Sequence, residues 1–203
     1  MPGLRRAMLL PLTAALLASC ASQRLTTFKH AFTGTPVVKV QYVGGLLAEA
    51  DTSGSDVQHV FSPREYQVLG AAVVEAVRTV FPQAQASEIT GHMVPGPLGY
   101  RQIGARVFIT VEVGGGYRCT DNPKPQHICW LEATAKARLI DVESDVADEP
   151  PPFVARSPAA VLPSLDFAAM RKALPPAEAA AGLRDATLEG MKQYLRKVDA
   201  SAP

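Results

Sequence analysis

The chain has 203 residues, 47% of them hydrophobic, and carries 20 Lys plus Arg against 19 Asp plus Glu for a formal net charge of +1. Near-neutrality excludes nucleic acid as a partner, because phosphate binding needs a basic surface excess, and it leaves no polybasic patch for anionic lipid. Length and apolar share suit a single domain of ordinary size with its own core.

At the start of the chain, Arg5 and Arg6 precede an apolar run from Ala7 to Leu17 broken only by Pro11 and Thr13. The run is too short to cross a hydrocarbon layer of about 30 Å, so residues 1–19 read as an export signal. The polar residues expected around a twin-arginine pair are missing. Leu17-Ala18-Ser19-Cys20 closes the run and resembles the lipobox of bacterial lipoproteins at all four positions. The resemblance implies removal of residues 1–19, with diacylglycerol and a further acyl chain (palmitate) on Cys20. Two or three chains hold a protein at a bilayer permanently, whereas one does so only marginally. Ala21 replaces the aspartate that retains such lipoproteins at the inner membrane, which implies the outer membrane with the domain facing the periplasm.

Residues 20–35 are expected to form the lipidated N-terminus and a tether, and residues 36–198 a single periplasmic domain followed by a tail, 199–203. Residues 36–46, "PVVKVQYVGGL", are β-branched and end in glycines, which marks a strand; residues 47–61 form a polar loop. Ser62 as N-cap, Pro63 at N1 and Glu65 at N3 then open a helix. Its apolar stripe is Tyr66, Leu69, Gly70, Val73, Val77, Val80 and Phe81, and Pro82 ends it. A second strand is expected over 87–94, followed by a turn-rich connection.

Residues 105–119 alternate Val107, Ile109, Val111 and Val113 against Phe108, Thr110 and Glu112, a strand with one wetter face. Residues 129–144 repeat the pattern, with Leu131, Ala133, Ala135, Ala137 and Leu139 on one side. The two strands are expected to pair as an antiparallel hairpin. Cys119 and Cys129, the even pair left once Cys20 is lipidated, are expected to close it as a disulfide worth about 2.5–3 kcal/mol. A metal site from Cys119, His127 and Cys129 lacks a fourth ligand and the short C-x-x-C spacing. The three glycines of "VGGGYRC" suggest a bend or bulge, since a phosphate loop would need a lysine and a serine or threonine. Residues 148–164 hold five prolines and read as a surface excursion outside any ladder. A short helix "LDFAAMRKAL" and a final helix follow, the latter with the stripe Leu183, Thr187, Gly190, Met191, Tyr194, Leu195 and Val198.

The fold class expected is α+β, with a small, mostly antiparallel sheet and two main amphipathic helices packed on one face. This order, with the strands "GARVFITVEV" and "ARLIDVES", resembles the TolB amino-terminal-like domains of envelope accessory lipoproteins over residues 36–145. The resemblance implies a protein that binds other proteins and catalyses nothing, with an envelope complex as partner.

Enzyme parts are sparse. "SGS" at 53–55 is no nucleophile elbow, and His30, His59, His92 and His127 stand singly without ligand spacing. Asp145, Asp148 and Glu149 lack calcium-loop spacing. No catalytic residue, metal or cofactor is expected. Candidate partner-binding residues are Trp130 beside the disulfide and Phe153, Val154, Val161 and Leu162 among the prolines, the alternative being that these fold back over the sheet. Carriage of a lipid or other hydrophobic ligand between helices and sheet is a rival reading, and an envelope hydrolase a weaker one.

Overall fold

The structure, a computed structural model, describes residues 25–45, 63–89, 97–120 and 126–201. The signal, Cys20, the loop 47–61 with "SGS" and His59, Ser62, and His92 lie outside them.

The described chain begins with a helix, α1 (25–31), and continues through β1 (Val37–Gly45), α2 (Pro63–Val80), β2 (Gln85–Ile89), α3 (Pro97–Gln102), β3 (Val107–Thr120), β4 (His127–Asp141), β5 (Val146–Asp148), β6 (Phe153–Arg156), β7 (Ala160–Leu162), α4 (Phe167–Ala173) and α5 (Pro176–Ala200). All seven strands join one sheet in the order β2-β1-β3-β4-β5, with β6 and β7 also paired to β4. The sheet is mixed, which corrects the mostly antiparallel expectation. β1 runs parallel to both β2 and β3, because the intervening α2 carries the chain back along the sheet before β2 begins.

Helices α2 and α5 lie side by side on one face, over β1–β4 and β6. Their stripes are buried: Leu69, Val73 and Val77 on α2, and Leu183, Met191, Leu195 and Val198 on α5, each at 0% exposure. The close approach of α5 to β6 depends on Gly190, where a Cβ would stand 2.4 Å from the Phe153 ring. Opposite the helices, the described residues cover the far face at one end only, where Tyr100 of α3 packs on Phe108 and Ala105, Ile140 and Val142 complete a second small core. Phe108 and Thr110 are therefore buried rather than wet.

Three further expectations are corrected. Within the proposed tether, α1 buries Phe28 and Ala31, and the following Phe32 stacks on Phe81 at 4.3 Å between ring centroids. Two aromatic side chains four residues apart supply enough apolar area to hold a two-turn helix against the core. The glycines 114–116 make no bulge with β4: the register runs unbroken from Val107 opposite Asp141 to Thr120 opposite Ile128. The proline-rich segment joins the ladder through β6 and β7. At its break, Ser157 exchanges bonds with Leu131, its backbone N–H donating to the Leu131 carbonyl and its Oγ accepting from the Leu131 N–H, both at 2.9 Å. A serine oxygen thus stands where the ladder would use a carbonyl, and the prolines flank β6 and β7 along this edge of the sheet, where they also deter pairing with another chain.

The elements run between two ends of the sheet. Near α1 lie the starts of β1 and β3, Phe81 after α2, the end of α5 and the β4–β5 turn. That turn is tied by Asp141, 1% exposed, which accepts from Ser144 Oγ at 2.6 Å, from the Glu143 N–H at 3.1 Å and from Arg106 Nη2 at 3.3 Å. The opposite end holds the β3–β4 turn, β7 and the start of α5.

Candidate partner-binding surface

Along β4, odd residues face the helices and even residues the open side. The disulfide sits near the turn end, where Cys119 and Cys129 are direct cross-strand partners with Cα atoms 4.1 Å apart. It bonds the last rungs of the hairpin together at the point where β1 no longer supports β3.

On the open side at this end, Ile128 is 41% exposed and its partner Val161 is 60% exposed; Val154, 47% exposed, lies on the same side but farther along β4, opposite Thr134. Trp130 follows two residues after Ile128 on the same face and is partly buried. The Arg156 guanidinium stands 5.9 Å from the Trp130 ring centroid, a cation–π arrangement, and its Nε lies 2.8 Å from Glu132 Oε2. Arg118 joins Glu132 from β3 at 3.8 Å. The Trp130 indole Nε1 is shielded and has no hydrogen-bond partner among the described residues. Beside these side chains, Gly116 leaves open space on the β3 backbone. The result is a small apolar patch of Ile128, Trp130 and Val161, with the Arg156–Glu132 pair and Arg118 along one side and Val154 beyond that pair, a mixture of apolar and charged groups of the kind found at protein interfaces.

The five candidates from sequence divide in two. Val154 and Val161 are exposed and Trp130 partly so, all on the open side. Phe153 and Leu162, at 7% and 5% exposure, point the other way and pack into the core, so they position the edge strand rather than meet a partner. Ile128 was not among the candidates, although the alternation of β4 places it in phase with Trp130.

The acidic residues weighed for calcium are spread apart. Asp145 is exposed with a positive φ of 55° in the β4–β5 turn, Asp148 accepts from the Tyr194 hydroxyl at 2.5 Å, and Glu149 lies 3.7 Å from Arg138. Among the described residues no three His, Cys, Asp or Glu side chains converge. Burial first, then the bond to Asp148, pushes the Tyr194 phenol far above its ordinary value, and burial raises that of Tyr42 to about 12. Both are structural effects of the helix-side core. Between helices and sheet, the α2 and α5 stripes pack against the inward side chains of the strands.

No family model and no curated protein matches the chain. Solved structures similar to it include PelC from Paraburkholderia phytofirmans, described as a dodecamer, at 12% identity and TM-score 0.38 over 83% of this chain and 90% of the other. The hypothetical protein CT253 from Chlamydia trachomatis aligns at 13% identity and TM-score 0.36 over 83% and 100%. Lipoprotein GNA1162 from Neisseria meningitidis aligns at 11% identity and TM-score 0.36 over 66% and 89%. The structural neighbours thus include bacterial lipoproteins; at these scores they assign neither a family nor a function. No helix among the described residues is long and apolar enough to cross a membrane.

Proposed function

We propose that this protein is a non-catalytic, lipid-anchored component of the bacterial envelope that binds a protein of an envelope complex through the open side of its hairpin. The supporting observation is the set of apolar side chains Ile128, Trp130 and Val161, with Val154 beyond the Glu132–Arg156 pair, on the half of the sheet that α3 leaves uncovered. The anchor is Cys20, on the lipobox resemblance, and the outer membrane is its place because Ala21 follows. The partner's complementary surface carries apolar groups for Ile128, Trp130 and Val161 and, beside them, polar groups for Arg118, Glu132 and Arg156.

Crosslinking in intact cells followed by purification tests this with three chains: wild type, Cys20→Ala, and a Val154→Asp, Val161→Asp double variant. One envelope protein recovered with the wild type and lost with both variants is the expected outcome. Equal recovery with the double variant rejects this surface, and a retained lipid or metabolite in place of a protein rejects the binding-module reading.

A further inference from the structure

The lipid anchor proposed at Cys20 and the observed packing of α1 together fix how the domain stands on its membrane. Cys20 and Leu25 are five residue steps apart, and five residues span at most about 17 Å when fully extended. From Leu25 onward the chain belongs to the fold. Phe28 and Phe32 are in the core, and Lys29 Nζ donates to the Ser201 carbonyl at 2.6 Å, tying α1 to the end of α5. β3, by contrast, runs from Val107 beside this end to Thr120 at the other, 14 residues or roughly 40 Å of twisted strand. The free tether is therefore much shorter than the sheet is long.

We infer that the α1 end rests against the headgroup layer of the bilayer holding the anchor, and that the β3–β4 turn end points away from it. The patch of Ile128, Trp130 and Val161 then meets its protein partner some tens of ångströms from the membrane.

The distribution of exposed side chains supports this independently. At the α1 end, His30, Thr33, Gly34 and Thr35 are exposed, a surface of hydroxyls and an imidazole that can hydrogen-bond to headgroups without inserting. The five exposed large hydrophobic residues among those described are Val68, Ile128, Val154, Val161 and Leu165, and none lies at that end. The basic groups at this end are Arg106, held by Asp141 and Glu143, and Arg196 and Lys197, exposed on the last turns of α5 with Asp199 after them. The short tether brings this end to the bilayer, and the exposed cations add an attraction to anionic headgroups that salt weakens.

The test uses the full chain with its own signal, expressed in bacteria, with the photo-crosslinking residue benzoylphenylalanine replacing either Thr35 or Val161. Each is made with and without an insert of about 20 Gly/Ser residues between Arg24 and Leu25, which adds roughly 25 Å of reach. The expected result is a phospholipid adduct at Thr35 that falls several-fold with the insert, and no phospholipid adduct at Val161 in the chain without it. A phospholipid adduct at Val161 in that chain, or one at Thr35 unaffected by the insert, overturns the inference. Cys20→Ala separates the two levels of the argument. If that variant stays in the membrane fraction, the anchor reading fails and this inference with it; if it is released while Val161 of the wild type reacts with lipid, the orientation alone is wrong.

Discussion

The two sides of β4 differ in burial and in the kind of side chain they carry. Toward the helices, Leu131, Ala133, Ala135, Ala137 and Leu139 are all at 2% exposure or less, while on the reverse side Ile128 is 41% exposed and Trp130 partly so, with Glu132 and Thr134 between polar and apolar neighbours. One strand thus separates folding from recognition at a period of two residues. The small alanines on its inner side let α5 approach closely, and no helix competes for the outer side near the turn. Stability resides in the helix-covered layer and the α1 end, and the account assigns binding to the open side at the turn end.

Substitutions should divide along the same line. The largest effect is expected at Phe32, where Phe32→Ala removes a fully buried ring stacked on Phe81 and should destabilise by about 3–5 kcal/mol in denaturant titration. A wild-type-like midpoint would return α1 to the status of a tether. Next, replacing Cys119 and Cys129 together by serine should lower stability by about 2–3 kcal/mol, with the amide protons of the hairpin turn end losing exchange protection before those at the α1 end. Gly190→Ala places a methyl group into the Phe153 ring, and the displacement of β6 should outweigh the gain in helix propensity for a net loss of about 1–2 kcal/mol. A neutral result would mean that β6 moves freely on α5.

The smallest effect is the alkaline one. Tyr42 and Tyr194 have folded pKa values raised above the ordinary phenol value near 10. A raised value means that their contribution is complete below about pH 10 and is lost as pH rises through the folded value, because the unfolded chain ionises first. Melting temperature should fall from pH 10 upward, and less steeply in Tyr42→Phe and Tyr194→Phe; parallel curves for wild type and variants would rule these phenols out as the cause.

What sequence could reveal follows from how local the signal is. The helix opening at Pro63, the alternation of β3 and β4 and the pairing of Cys119 with Cys129 depend on neighbours within a few residues or on a single hairpin, and they were legible. The parallel placement of β1 between β2 and β3 depends on a crossover, and periodicity carries no record of strand direction. β6 and β7 were masked by prolines because the ladder gap is filled by the side chain of Ser157, a substitution invisible to propensity. α1 is not legible locally because a two-turn helix has little intrinsic stability and forms here only on a core assembled from distant residues. At the surface, Trp130, Val154 and Val161 were identifiable by type, but which of the apolar residues around the prolines turn inward follows from the pairing of Ala135 with Phe153 and of His127 with Leu162.

The central claim, that the open side at the turn end binds while the helix side folds, is tested most directly by the Val154→Asp, Val161→Asp double variant, followed by thermal melting and by crosslinked partner recovery on the same preparation. The account predicts a change in stability within about 0.5 kcal/mol per substitution, as for surface positions generally, together with loss of the partner. Full recovery of the partner, or a melting temperature lowered as far as in Phe32→Ala, would contradict it.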